Sequence, residues 1–288
     1  MKVLVSSDTS CLVGVDVLSK NNISVFPLNV IVDGEEFLDT VTIDQEKLKN
    51  DMRNNKVIKT STPPLGQVVE YFEKLLSQGY DHIIHFTISS KLSSMYNLFS
   101  NVANESFPGK ITVIDSYAVS ALMLNNVLYA KEEVDKGTSV EEIYKTIEER
   151  KHQGTVIFIP ENLTALKNGG RISPAVAAVG NVIGLKPVIS LTEGELVKVG
   201  MTTVVKKTFN EHLLKVKDNY PTSMYDYTLV GFDPKDAIFE GIYNSVKQID
   251  ENACKGIVPI NVCAHCGPGT IGLIISPKVN NKNLKEFL

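Results

Sequence analysis

Excess basic charge is missing from this chain of 288 residues: 29 Lys and Arg stand against 33 Asp and Glu, a net charge of −4. That excludes the basic face by which proteins hold nucleic acid. No apolar run approaches the roughly 18 residues of a membrane span, and the strand-like opening Met1-Lys2-Val3-Leu4-Val5-Ser6-Ser7-Asp8 is too short for a signal peptide. Cysteine is scarce, four in all, which excludes a disulfide scaffold and points to a reducing cytoplasm. There is no G-x-G-x-x-G after the first strand and no G-x-x-x-x-G-K-[ST], so neither common phosphate cradle is present. A G-x-S-x-G elbow is also missing, and the five histidines include no H-E-x-x-H pair.

What is present is an alternation of strand and helix signals, at a length that favours two domains. In the first half Lys2–Ser6, Ser24–Val32, His82–Ile88 and Ile111–Ile114 read as strands. Between them Leu65, Val68, Val69, Phe72, Leu75 and Leu76 recur at helical spacing. Thr62 before Pro63 and Pro64 supplies a hydroxyl N-cap for this helix. A second helix is expected over 117–136, and a third from Ser139, which has capping-box spacing to Glu142. Such alternation predicts a doubly wound, mainly parallel sheet with helices on both faces.

After Gly154 the pattern changes. Thr155–Pro160 is a strand, and Ser173 N-caps a helix of small residues over 175–183. Pro187–Leu191 and Leu196–Val199 form a hairpin about Glu193-Gly194. Helices near 204–218 and 235–249 alternate with strands near 227–232, 258–264 and 270–276. This second part is α+β. The expected division is 1–153 and 154–288.

The chemistry sits in the turns. Ser6-Ser7-Asp8-Thr9-Ser10, Thr60-Ser61-Thr62, Ser89-Ser90-Lys91-Leu92-Ser93-Ser94 and Asp115-Ser116 follow strands of the first half or lead into its helices. In a doubly wound sheet those ends share the ligand-binding edge. Each hydroxyl taken singly is an ordinary helix cap. Several on one edge fit a small anionic group, because hydroxyls and free helix N–H groups are neutral donors. Arg171, after two glycines, is either a surface turn residue or a guanidinium held out for a phosphate or partner. Lys206 and Lys207 extend that basic patch or lie on a solvated helix face. Cys263 and Cys266 bracket His265 in a turn between two apolar strands. With no second ligand pair and no helix expected to open on them, they read as buried thiols.

Together these segments resemble the DegV family of bacterial fatty-acid-binding proteins. The resemblance is carried by Ser7-Asp8-Thr9-Ser10, Pro27-Leu28, Thr60-Ser61-Thr62-Pro63, Ile88 through Ser94, Ile114-Asp115-Ser116, Gly169-Gly170-Arg171-Ile172-Ser173, Leu185-Lys186-Pro187 and Ala264-His265-Cys266-Gly267-Pro268-Gly269, in family order along nearly the whole chain. It implies an apolar tunnel between the two domains that holds a long-chain fatty acid and no cofactor. It also implies a carboxylate held by Thr60, Ser61, Thr62, Ser93 and His265, and Arg171 at the tunnel mouth or docking face. The family's partner is a fatty acid kinase that converts the bound carboxyl to an acyl-phosphate. Lys206 and Lys207 would serve docking or phosphate contact, and the protein would meet membrane surfaces transiently to exchange lipid.

The small-residue helix 175–183 and the run Ala121-Leu122-Met123-Leu124 are the expected walls. Two positions depart from the family pattern. Met201 through Val205 replace arginines usually found before the Lys-Lys pair, and Cys266 stands where a small or aliphatic residue is expected. The alternative function is a serine-dependent acyl hydrolase or acyltransferase with Ser93 as nucleophile and His265 as base.

Overall fold

The computed structural model describes residues 1–11, 17–161, 163, 166–167, 170–172, 184–233 and 235–288. The expected Ser173 cap, the helix 175–183 and part of the Gly-Gly-Arg turn lie outside the described residues.

In the first half β1 (Val3–Asp8) leads through a 3-10 turn (Thr9–Cys11) to α1 (Val17–Lys20) and β2 (Ser24–Phe26). There follow β3 (Asn29–Val32), β4 (Glu35–Leu38), α2 (Gln45–Arg53), β5 (Ile58–Ser61) and α3 (Leu65–Ser77). β6 (His82–Thr87), α4 (Met95–Ser106), β7 (Ile111–Asp115), α5 (Ser120–Lys136) and α6 (Val140–Arg150) complete this part. The strands β2-β1-β6-β7 form a sheet in which every pairing is parallel. Its two faces follow from strand alternation. Leu4, Ile83 and Ile111 cluster with Phe72 of α3 and Phe99 of α4, while Val5, Ile84, Phe86 and Ile114 cluster with α5.

Ser24–Val32 is not one strand, as the sequence suggested. It breaks at Pro27-Leu28, where proline offers no N–H to a ladder and the Leu28 amide turns to Thr9 Oγ1 at 3.3 Å. Beyond the break β3 joins β4 and β5 in a small antiparallel sheet, so Thr60 and Ser61 sit on a strand. Thr62 does not cap α3: Pro64 holds the N-cap position with no side-chain bond, and Thr62 Oγ1 lies 3.1 Å from Ser94 Oγ. The Ser139–Glu142 capping box is formed as expected.

The second half contains β8 (Thr155–Ile159), β9 (Lys186–Thr192), β10 (Glu195–Thr202), α7 (Val205–Val216) and β11 (Tyr225–Gly231). It continues through α8 (Ala237–Lys247), β12 (Cys254–Ile257), α9 (Ile260–Cys266) and β13 (Ile271–Pro277). Its six-stranded sheet, ordered β10-β9-β8-β13-β11-β12, is antiparallel except for β11–β12. One face carries Ile157, Tyr227, Leu229, Leu273 and Ile275 against α7 and α8. The other turns Val156, Leu191, Val230 and Ile274 toward α5. The strand expected near 258–264 is instead α9. The β-branched residues there suggested extended chain, but Pro259 ends the strand and serves as N-cap.

Helix α5 lies between the two sheets and is buried at every position from Ser120 to Leu128, its polar Ser120, Asn125 and Asn126 included. The run 121–124 therefore belongs to the core and does not line the cavity described next.

Candidate functional site

A cavity of about 160 Å³ lies where the parallel-sheet edge, β5, α9 and the free face of the mixed sheet meet. That is well above the roughly 10–15 Å³ that a single water requires, but water needs polar partners. One wall offers none: Val156, Phe158, Leu191, Leu196, Val230 and Ile274 face inward. Register explains the row, since Phe158 pairs with Gly272 and Gly272 with Val230 on adjacent strands. Gly272 also lines the cavity, and its neighbours crowd it: a Cβ there would meet Val230 Cγ2 at 3.1 Å and Phe158 Cβ at 3.4 Å.

The opposite side is polar. Thr60, Ser61, Thr62, Ser93, Arg171 and His265 all line the cavity, joined by Ser10, Ser120 and Asn261. Folding brings Thr60 Oγ1 to 2.9 Å from His265 Nε2 across 205 residues of sequence. His265 is not in a turn between strands; it closes the last turn of α9, one helical turn from Asn261 on the same face. Burial pushes its imidazole down to about 4, helped by the nearby positive charge of Arg171, so the ring is neutral at physiological pH.

Ser93 follows β6, where its amide donates to Ser89 O at 3.1 Å and its Oγ accepts from the Met95 amide at 3.4 Å. Among the described residues its hydroxyl proton meets no acceptor. Ser61 Oγ is screened from solvent and meets no partner among the described residues. A buried hydroxyl in that state is costly unless something in the cavity satisfies it.

Arg171 does not project outward, as its turn suggested. Its Nε donates to Leu92 O at 3.2 Å, and it is the one formally charged residue among the described residues lining the cavity. Lys206 and Lys207 do not line the cavity: Lys207 pairs with Glu211 at 3.8 Å, and Lys206 packs over Gly241. Cys263 and Cys266 are buried free thiols on α9, and burial raises Cys266 to about 12.

Sequence inspection missed a buried carboxylate layer behind the polar wall. Asp8 accepts from the Ser10 and Ile88 amides, each at 2.8 Å. Asp39 accepts from Thr9 Oγ1 at 2.9 Å and the Asn261 amide at 3.3 Å. Burial raises Asp8 to about 6 and Asp39 to about 7. Asn261 Nδ2 donates to Thr9 Oγ1 and Ser10 Oγ, each at 3.2 Å, which ties α9 to the end of β1. No local signal marked Asp39, which precedes an unremarkable Thr-Val-Thr, although Asp8 lay within a hydroxyl-rich segment. Ser120 was also missed, since only its place at the start of α5 turns it toward the cavity.

A parallel and a mixed sheet enclosing an apolar cavity, with convergent polar groups on one side, define an α/β small-molecule-binding architecture. The chain belongs to the DegV family: the profile described as "Uncharacterised protein, DegV family" matches residues 2–278. A DegV domain-containing protein of Staphylococcus aureus (strain N315) is 27% identical, over 96% of this chain and 99% of that one. A fatty-acid-binding DegV family protein from Thermus thermophilus superposes with a TM-score of 0.84 at 25% identity, over 96% of this chain and 100% of that one. A stearic acid-binding protein from Eubacterium ventriosum gives 0.85 at 25% identity, over 96% and 99%. Among the described residues no helix is long and apolar enough to cross a membrane.

Proposed function

We propose that the protein binds a long-chain fatty acid, with its tail against the mixed sheet and its carboxylate on Ser61 and Ser93, near Arg171, Thr60, Thr62 and His265. The observation that carries this is the pairing of a dry wall with a polar side that, among the described residues, holds an unsatisfied hydroxyl and a single formal charge, which is positive. The fatty-acid-binding relatives of the same fold support it. Burying about 14 methylenes at about 0.8 kcal/mol each supplies on the order of 10 kcal/mol before ordering costs.

The division at residue 153 fits this role, with residues 1–153 supplying most of the polar side and 154–288 the apolar wall. In this proposal the protein is a non-catalytic, cytoplasmic carrier that presents its carboxylate to a fatty acid kinase, with Lys206 and Lys207 available for docking. A hydrolase built on Ser93 and His265 is disfavoured because His265 is hydrogen-bonded to Thr60 and a ring titrating near 4 is a weak base.

Native mass spectrometry of protein purified from cells tests the proposal, with about one fatty acid per chain expected. Ser93→Ala should weaken binding by about one to two orders of magnitude, the value of one charge-assisted hydrogen bond. No lipid and no uptake of added oleate would rule the carrier out. Ester turnover lost in Ser93→Ala with affinity unchanged would favour the hydrolase.

A further inference from the structure

Helix α5 meets the cavity at its first residue, Ser120, and this helix start is unusual in three respects. Ser120 lines the cavity at 4% exposure, and its Oγ has no hydrogen-bond partner among the described residues. Its φ is +57°, in the left-handed region that non-glycine residues avoid, and Tyr117 in the same short connection is at +50°. No side chain caps the helix: Val119 holds the N-cap position without a side-chain bond. The helix thus starts without a capping acceptor, and Val119 and Ser120 are the residues of this start that border the cavity.

Three contacts fix this placement. Asp115 Oδ1 accepts from the Ser90 and Tyr117 amides at 3.0 and 3.3 Å, and the Ser89 amide donates to Ala118 O at 3.1 Å. They lock the connection between β7 and α5 onto the turn that carries Ser93. In the sheet order β2-β1-β6-β7 the direction of winding reverses between β1 and β6, where doubly wound folds bind their ligands. Helix α5 packs across β1 beside that point.

We propose that Ser120 and the first turn of α5 form a second donor set for the carboxylate, making Ser120 a specificity-determining residue that selects an acid over a neutral lipid of the same length. The inference rests on the fatty-acid reading above. A carboxylate has about four lone-pair positions. Ser61 and Ser93 occupy two, whereas Thr60 and Thr62 already have hydrogen-bond partners. The hydroxyl of Ser120 and a helix N–H suit the remainder. The unpartnered Oδ1 of Asn261 does not, because it can only accept.

The test compares oleate with oleyl alcohol, titrated against the full chain, Ser120→Ala and Ser120→Gly, with thermal melts to confirm folding. Alanine keeps the left-handed strain and removes the hydroxyl; glycine removes both. Both variants should bind oleate roughly ten- to a hundredfold more weakly, as loss of a charge-assisted hydrogen bond dictates. Both should hold oleyl alcohol within about twofold of wild type. Unchanged oleate affinity in the variants, or equal loss for acid and alcohol, overturns the assignment. Wild-type protein that takes up neither lipid overturns the fatty-acid reading and this inference with it.

Discussion

The two walls of the cavity each border a sheet, yet one is dry and the other lined with donors. On the mixed sheet the cavity meets strands side-on, where ladder bonding consumes the backbone polar groups and side chains such as Val156, Leu191, Val230 and Ile274 face inward. On the parallel sheet it meets strand ends, where Ser10, Ser93 and Ser120 sit on turns or helix starts with amide groups still unpaired by regular structure. The difference shows that polarity here is set by which part of a sheet faces the cavity, and only then by residue choice.

The contrast is most sharply broken by a charge on the dry wall. Ile274 is 1% exposed and faces Val156 across the ladder. Ile274→Asp should destabilise the fold by about 3–5 kcal/mol in urea unfolding, as an uncompensated buried charge does. A loss under about 1 kcal/mol would mean that the wall is wet.

The polar side should show itself in the pH dependence of stability. Burial raises Asp39 from 3.8 to about 7, so the folded protein keeps a proton that the unfolded chain has released. Its contribution is fully present below the unfolded value and is lost as pH rises through about 7. Between pH 5 and 8 the expected loss is about 2–3 kcal/mol. Asp8 acts in the same direction, with its loss complete near pH 6. Asp39→Asn should remove the Asp39 share, read as a smaller fall in urea midpoint across that range. An equal fall in the variant would exonerate Asp39.

The smallest effect concerns the contact that holds the two walls together. The hairpin turn of the mixed sheet docks on the parallel-sheet side, where Ser89 Oγ donates to Gly194 O at 2.9 Å. Gly194 has φ +78°, and a Cβ there would come 2.5 Å from Ser89 Oγ. Gly194→Ala should lower stability by about 1–2 kcal/mol and raise the off-rate of bound lipid. Unaltered thermal unfolding would show that the turn is free to shift.

Local patterns were legible wherever the cause was local. The stripe from Val68 to Leu76, the Ser139–Glu142 box and the Glu193-Gly194 turn depend on residues a few positions apart, and all three formed as expected, although Leu65 at the start of the expected stripe is left exposed. Helix α9 was illegible because β-branched residues around Pro259 fit strand and short helix alike, and burial against β5 and the end of β1 decided between them.

The sequence by itself determined the alternating order of elements, the clustering of hydroxyls near strand ends and the family to which the chain belongs. Tertiary structure alone decided that Arg171 turns inward to Leu92, that His265 meets Thr60, that Asp39 is buried beneath Asn261 and that the Ser120 hydroxyl meets no partner among the described residues. Periodicity states that a side chain is buried but not what it is buried against. The partner of a polar group comes from whichever element packs beside it, as with Asn261 and Thr9, 252 residues apart, and that is settled only when the two sheets close on α5.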